Sequence, residues 1–300
     1  MRGFLKEFFI MTKPRVWVFL LLTGIAGEIF SLSIQRRPDF LGFIFVTVYI
    51  TIGLMGAESI SNYFDLPIDK VMRRTMNRPL PSGRLKPQTA LYGGLLLIAI
   101  MLLMAFKQSL LSFIFMSTGV FDYTIIYAYI TKKRTYWNII LGAYSGGAPL
   151  LAGFYAFYKT FNLAAVLMFF AILIWTPLHI WTLSIKYKDD YSRASVPMLP
   201  VVFGERKTMM ILMPVSVLVA IVSVLTGIVM MRYFPFSLAA VDLVVFFILG
   251  LYILISYLKT FLSGNENIMK LFGSTNAFIG SFFIAVAIFS LLIPFWGVVK

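Results

Sequence analysis

Apolar runs of about twenty residues follow one another along almost the whole chain, and no other feature restricts its fold as strongly. A helix needs roughly that many residues to cross the hydrocarbon layer of a bilayer. The composition agrees. Of the 300 residues 60% are hydrophobic and only 13% are charged, against roughly 25% charged in an ordinary soluble domain. The bilayer is therefore expected to be the solvent for most of the chain. Hydropathy places about nine spans, at 16–34, 40–61, 89–106, 109–130, 138–157, 163–185, 208–231, 237–258 and 273–298. The segment from Met1 to Arg15 mixes polar and aromatic residues and runs straight into the first span, so no removable targeting peptide is expected. There are no cysteines, which excludes disulfides, thiolate metal sites and cysteine nucleophiles.

The net charge of +14 would suggest a nucleic-acid partner in a soluble protein. Here the charges lie between the spans, and their placement gives a better account. With the N-terminus inside, the tail and the loops after spans two, four, six and eight hold 20 of the 26 Lys and Arg. That split follows the positive-inside rule. It predicts a multi-pass protein of the cell membrane, with the N-terminus and the 62–88 and 186–207 loops cytoplasmic and Lys300 outside. No nucleic-acid partner is expected.

The two long polar loops are separated by four spans, so both open on the same side. They also resemble each other. Asn77-Arg78-Pro79-Leu80-Pro81-Ser82-Gly83-Arg84 in the first has a counterpart in Pro197-Met198-Leu199-Pro200 and Phe203-Gly204-Glu205-Arg206-Lys207 in the second, and each follows a pair of carboxylates. Duplication of a four-helix unit would repeat it in parallel orientation. The expected fold is thus all-α and integral to the membrane, with the two acidic clusters facing each other across a central cavity. No low-complexity linker interrupts the chain, so 1–300 is read as a single domain.

Asp65 and Asp69 stand four residues apart at the cytoplasmic end of span two, on one helical face. Like charges at that spacing repel unless a divalent cation lies between them, and magnesium takes carboxylate oxygens and bridges to phosphate. Ser61 and Asn62, one turn earlier, offer neutral oxygens. Pro67 is expected to kink or end the helix and to free the carbonyl of Tyr63. The second cluster, Lys188-Asp189-Asp190-Tyr191, closes span six. Four of only twelve acidic residues thus sit in the two most basic loops, beside Arg73, Arg74, Arg78, Arg84, Lys186 and Lys188. Carboxylates that hold a metal, with arginines that clamp phosphate oxygens, are the parts needed to bind and ionise a diphosphate. Glu28, Glu58, Asp122 and Asp242 fall within or at the edge of spans, where ionisable groups usually face a cavity. Glu58, one turn before Asn62, is the first candidate to line the site, and Asp122 the second.

The stretch Ser61-Asn62-Tyr63-Phe64-Asp65-Leu66-Pro67-Ile68-Asp69 resembles the first aspartate-rich motif of the UbiA-type intramembrane prenyltransferases. Arg74-Thr75-Met76-Asn77-Arg78-Pro79-Leu80-Pro81-Ser82-Gly83-Arg84 is similar to the following segment in the heme O synthases (protoheme IX farnesyltransferases) of that superfamily. So is Trp175-Thr176-Pro177-Leu178-His179-Ile180-Trp181, leading to Lys188-Asp189-Asp190-Tyr191. Thr12-Lys13-Pro14-Arg15-Val16 and Lys133-Arg134-Thr135-Tyr136-Trp137-Asn138 resemble the same subfamily. Two positions depart from the pattern. Ser61 stands where the motif usually begins with Asn, and Pro67 replaces a residue that is commonly acidic.

The resemblance implies transfer of a farnesyl group from farnesyl diphosphate to a vinyl group of heme B, with addition of water, giving heme O and diphosphate. It implies magnesium held by Asp65, Asp69, Asp189 and Asp190 with Asn62. Substrate contacts would come from Ser61, Asn62, Glu58, Arg74, Arg78, Arg84, Lys188, Tyr191 and His179. His179, the one histidine of the chain, has two readings, a hydrogen-bonded structural residue or a contact to the heme, as iron ligand or as a polar group near the vinyl. The competing functions are a related prenyltransferase acting on a phenolic acid or a glycerol lipid, and a membrane transporter. The form of the second motif disfavours the first, and four aspartates at one membrane face disfavour the second.

Overall fold

The computed structural model describes residues 2–264 and 266–296, and no strand occurs among them. A short helix α1 (Arg2–Met11) precedes the first long one, α2 (Pro14–Gln35), where Pro14 occupies a first-turn position whose N–H would be unpaired in any case. Next come α3 (Phe40–Asp69) and α4 (Pro87–Gln108). α5 begins as an α-helix, Leu110–Phe121, and continues as a π-helix, Asp122–Thr131. The chain goes on through α6 (Asn138–Leu141), α7 (Tyr144–Tyr155), α8 (Leu163–Lys186), α9 (Lys188–Arg193), α10 (Leu199–Met230), α11 (Phe236–Leu262) and α12 (Ile268–Trp296).

Among the described residues eight helices are long and apolar enough to cross a membrane. The fifth expected span, 138–157, is the exception. It is split at Gly142–Ala143 into α6 and the twelve-residue α7. This run carries Gly142, Gly146, Gly147 and Pro149, residues that weaken a helix interior although they leave the hydropathy high. It still passes from one end of the bundle to the other. The Tyr155 carbonyl, at the end of α7, accepts from the Ser109 hydroxyl (2.8 Å), which precedes α5. Two other boundaries also moved. α3 runs past residue 61 to Asp69, and Lys70 N–H still bonds the Leu66 carbonyl (3.2 Å) beyond Pro67. α10 begins at Leu199 and bends at Gly204, whose φ of 79° is open to glycine at little cost. Lys300 lies outside the described residues.

Consecutive spans pack on one another around the bundle, and α12 returns to α2. In both halves of the chain each long helix packs on the one after it, α2 to α5 in the first and α7, α8, α10 and α11 in the second. Small residues set two of the seams. A side chain at Gly27 or Gly153 would run into backbone carbonyls across the α2–α7 seam, and Gly56 faces Gly94 across α3–α4 in the same way. The open space of the bundle lies between α2, α3, α5, α7, α8 and α12.

Candidate active site

The ends of α3, α5 and α8 meet at one end of the bundle and bring together charges from distant parts of the sequence. Asp65, 3% exposed, pairs with Lys132 Nζ at 2.7 Å, and the Ser61 hydroxyl lies 3.5 Å from the same oxygen. Asp69 pairs with Arg78 at 3.0 Å. Asp190 is buried, pairs with Arg193 one turn along, and lies 3.4 Å from the backbone N–H of Arg74. The Arg74 guanidinium sits over the Tyr187 ring, 4.6 Å from its centre. The loop after α3 thereby spans the two acidic clusters. Burial opposes the charged form of Lys132. The Asp65 carboxylate and the neighbouring ring hydroxyls outweigh it, so its pKa rises above the ordinary lysine range.

Below this charged layer lies a cavity of about 810 Å³, within the size range of roughly 300–1,000 Å³ found for small-molecule sites. Arg74 and Arg78 form its polar end, with Glu58, Tyr123 and Tyr127 next to them and Trp175, His179 and Phe272 on another wall. Arg15, Val16 and Phe19 of α2 and Met269 of α12 line the cavity and are exposed, so it opens sideways between those helices. A smaller cavity of about 330 Å³ is lined by Lys13, Asn62, Arg74, Asn77, Arg78 and Arg84.

His179 is stacked between Trp175 and Phe272, at ring-centre distances of 4.4 and 4.6 Å. Its Nδ1 lies 2.8 Å from the Thr275 hydroxyl, which itself donates to the Phe272 carbonyl at 2.8 Å. A hydroxyl has one proton to give. Thr275 must therefore accept from Nδ1–H, and the neutral ring keeps its lone pair on Nε2. His179 is thus hydrogen-bonded through one nitrogen, as the structural reading expects, and also stands on the cavity wall.

The remaining candidates divide. Glu58 lines the large cavity, accepts from Tyr123 (2.8 Å) and pairs with Lys13 (3.1 Å). Asn62 spends its amide nitrogen on the carbonyls of Met11 and Glu58, at 2.8 and 2.7 Å, so only its carbonyl oxygen is left for a substrate or an ion. Tyr191 is buried, Lys188 half-buried and Asp189 exposed. Arg84 points away from the large cavity, bonding Glu7 (2.9 Å) and the Asn77 carbonyl (3.0 Å). Asp122 receives the backbone N–H of Ser145 (2.9 Å) at the start of α7. Glu28 takes the Thr47 hydroxyl, and neither oxygen of buried Asp242 has a partner among the described residues.

Lys132 and the pair Tyr123 and Tyr127 were not among the residues singled out from the sequence. Lys132 belongs to a basic trio that the positive-inside rule already accounted for. The π-helix is what recruits it. With bonding from i to i+5, shown by Lys132 N–H to the Tyr127 carbonyl at 2.9 Å, residues 123, 127 and 132 fall on one face.

Magnesium suits the donors at this end. Asp65 Oδ1 is buried with no hydrogen-bond partner among the described residues, and carboxylates and a hydroxyl are the hard oxygens this ion takes. Among the described residues no three acidic or histidine side chains are gathered around one point, and Lys132, Arg78 and Arg193 each hold a carboxylate.

Residues 20–281 match the UbiA prenyltransferase family. A protoheme IX farnesyltransferase of Thermoplasma volcanium is 35% identical over 288 residues, covering 96% of this chain and 98% of that protein. Protoheme IX farnesyltransferase 1 of Picrophilus torridus is 40% identical over 74% of each chain, and the protoheme IX farnesyltransferase of Neorickettsia sennetsu is 33% identical over 89% and 86%. A digeranylgeranylglyceryl phosphate synthase structure superposes with a TM-score of 0.78 at 19% identity, covering 97% of this chain and 99% of that one. A UbiA homologue from Archaeoglobus fulgidus, solved with DMAPP and Mg2+, gives 0.68 at 15% identity over 94% and 99%. These two share the fold. The chain therefore belongs to the UbiA prenyltransferase family, and its relatives at 33–40% identity are protoheme IX farnesyltransferases.

Proposed function

We propose that this protein transfers the farnesyl group of farnesyl diphosphate to a vinyl group of heme B, adding water and releasing diphosphate, to give heme O. The observation that carries the reading is the cavity, charged at the Arg74 and Arg78 end and walled by aromatic rings along its depth. An allylic diphosphate lies along such a gradient with its anion at the arginines. In the reaction the carbon–oxygen bond breaks with its electron pair going to the diphosphate. The vinyl π pair then forms the new carbon–carbon bond, and water adds at the adjacent carbon with loss of a proton. The relatives' names point to heme as the acceptor.

Asp65, Asp69, Asp189 and Asp190 would hold magnesium, which supplies neutralising charge at the departing diphosphate. Arg74, Arg78 and Lys132 add fixed positive charge at the same end, where preorganised groups stabilise a leaving anion. The apolar wall keeps bulk water from the allylic cation. The single domain 1–300 would lie in the cell membrane with its N-terminus and both active-site loops in the cytoplasm. Single cysteines at the exposed Ser82 and Ser192 should then label only from the cytoplasmic side.

Purified protein supplied with magnesium, farnesyl diphosphate and heme B should release diphosphate in step with heme consumption. 4-Hydroxybenzoate or a glycerol phosphate lipid should not replace heme. Diphosphate release that depends on either of those acceptors, with heme left intact, would refute the reading while sparing the fold.

A further inference from the structure

We infer that Arg15 is the residue that takes the propionate carboxylates of the porphyrin and so orients heme in the cavity. The inference rests on heme as acceptor and assigns a residue to it. Four charged side chains line the large cavity, Arg15, Glu58, Arg74 and Arg78. Three already have employment. Glu58 is neutralised by Lys13, Arg78 faces Asp69, and Arg74 lies over Tyr187 beside Asp190 at the diphosphate end. Arg15 has no carboxylate partner among the described residues. It is exposed in the first turn of α2, immediately after Pro14, at the lateral opening bounded by Val16, Phe19 and Met269.

The two substrates carry two anionic ends, and three arginines line the cavity, of which Arg74 and Arg78 stand with the acidic clusters. Diphosphate belongs at the end where Arg74 and Arg78 stand with the acidic clusters. Heme is a flat apolar body with both propionates on one edge and the vinyl groups away from it. Its polar edge must remain at the membrane face while a vinyl reaches the allylic carbon inside. An arginine at the rim of an apolar opening meets that need, because its planar fork binds a carboxylate through two parallel hydrogen bonds. The exposed Val16 beside it and the exposed Phe19 one turn further along the same helix would lie along the porphyrin as it enters. Held at the propionate edge, the ring has its opposite edge directed toward the wall of Trp175, His179 and Phe272.

The test crosses a change in the protein with a change in the ligand. Turnover is measured for wild type, Arg15→Gln and Arg15→Lys with heme B and with its dimethyl ester, whose propionates carry no charge. Wild type should show a KM for heme B at least about 10-fold below that for the ester, the size of one good charge-assisted contact. In Arg15→Gln that preference should fall to within about 2-fold, through a rise in KM for heme B. Arg15→Lys should keep part of it, since a point charge attracts carboxylate without the fork. The KM for farnesyl diphosphate should not move in either variant, which also shows that the variants are folded. Equal use of heme B and the ester by wild type would overturn the assignment. So would a preference that survives Arg15→Gln, which would leave Arg15 as a membrane-surface anchor. Failure of wild type to use heme at all would instead strike the function proposed above.

Discussion

The two acidic clusters occupy the same end of the bundle but are built differently. Asp65 and Asp69 lie on one continuous helix, both buried, and Asp65 is matched by a lysine 67 residues further along the chain. Asp189 and Asp190 lie beyond the end of α8 on a six-residue helix, one exposed and one buried, and Asp190 is matched by an arginine three residues away. The first cluster is therefore part of the tertiary structure, whereas the second is largely local. The loop carrying Arg74 joins them, through its backbone contact to Asp190 and its place over Tyr187. Substitutions in the first cluster should disturb folding and turnover together, and those in the second should act on turnover alone.

The largest effect should come from Lys132→Met. It leaves Asp65 buried and unpaired, a change that typically destabilises by about 3–5 kcal/mol, so the thermal unfolding temperature in detergent should fall together with activity. A variant as stable as wild type would show that the two clusters do not differ in the way described. Asp65→Asn, Asp69→Asn and Asp190→Asn should each lower turnover at least about 100-fold, as when a stabiliser of developing charge is lost. Asp190→Asn alone among them should leave stability unchanged. EDTA should abolish the activity of the wild type and magnesium should restore it. His179→Ala should come next, raising KM for heme B about 10-fold while leaving diphosphate binding in place, since its ring lies on the aromatic wall and not among the arginines. Exposed Asp189 should matter less than Asp190, with Asp189→Asn costing roughly 10-fold in turnover. Arg84→Ala should be the mildest, within about 3-fold, because Arg84 joins Glu7 at the surface, where such pairs contribute about 0–1 kcal/mol.

Much of this architecture was legible in the sequence because the bilayer imposes its length scale on every apolar run. Eight of the nine expected spans are long helices among the described residues, and both acidic pairs stand at one end of the bundle, joined there by Arg74 and Arg78. The fifth span was misread as one helix because hydropathy scores glycine and alanine runs as apolar and carries no information on where such a run breaks. Lys132 escaped notice for a different reason. Its importance comes from a π-helical turn and from a carboxylate on another helix, and neither leaves a mark in local composition. Asn62 shows the converse. Its place in the motif marked it as a ligand candidate, while the fold uses its nitrogen to tie α3 to the end of α1.

The mass of the heme extracted from cells expressing the protein decides whether heme is the acceptor. A species heavier than heme B by one farnesyl group plus water is expected, absent when Asp65→Asn replaces the wild type. Heme B alone in both extracts, from cells in which the wild-type protein is present and folded in the membrane, would contradict it.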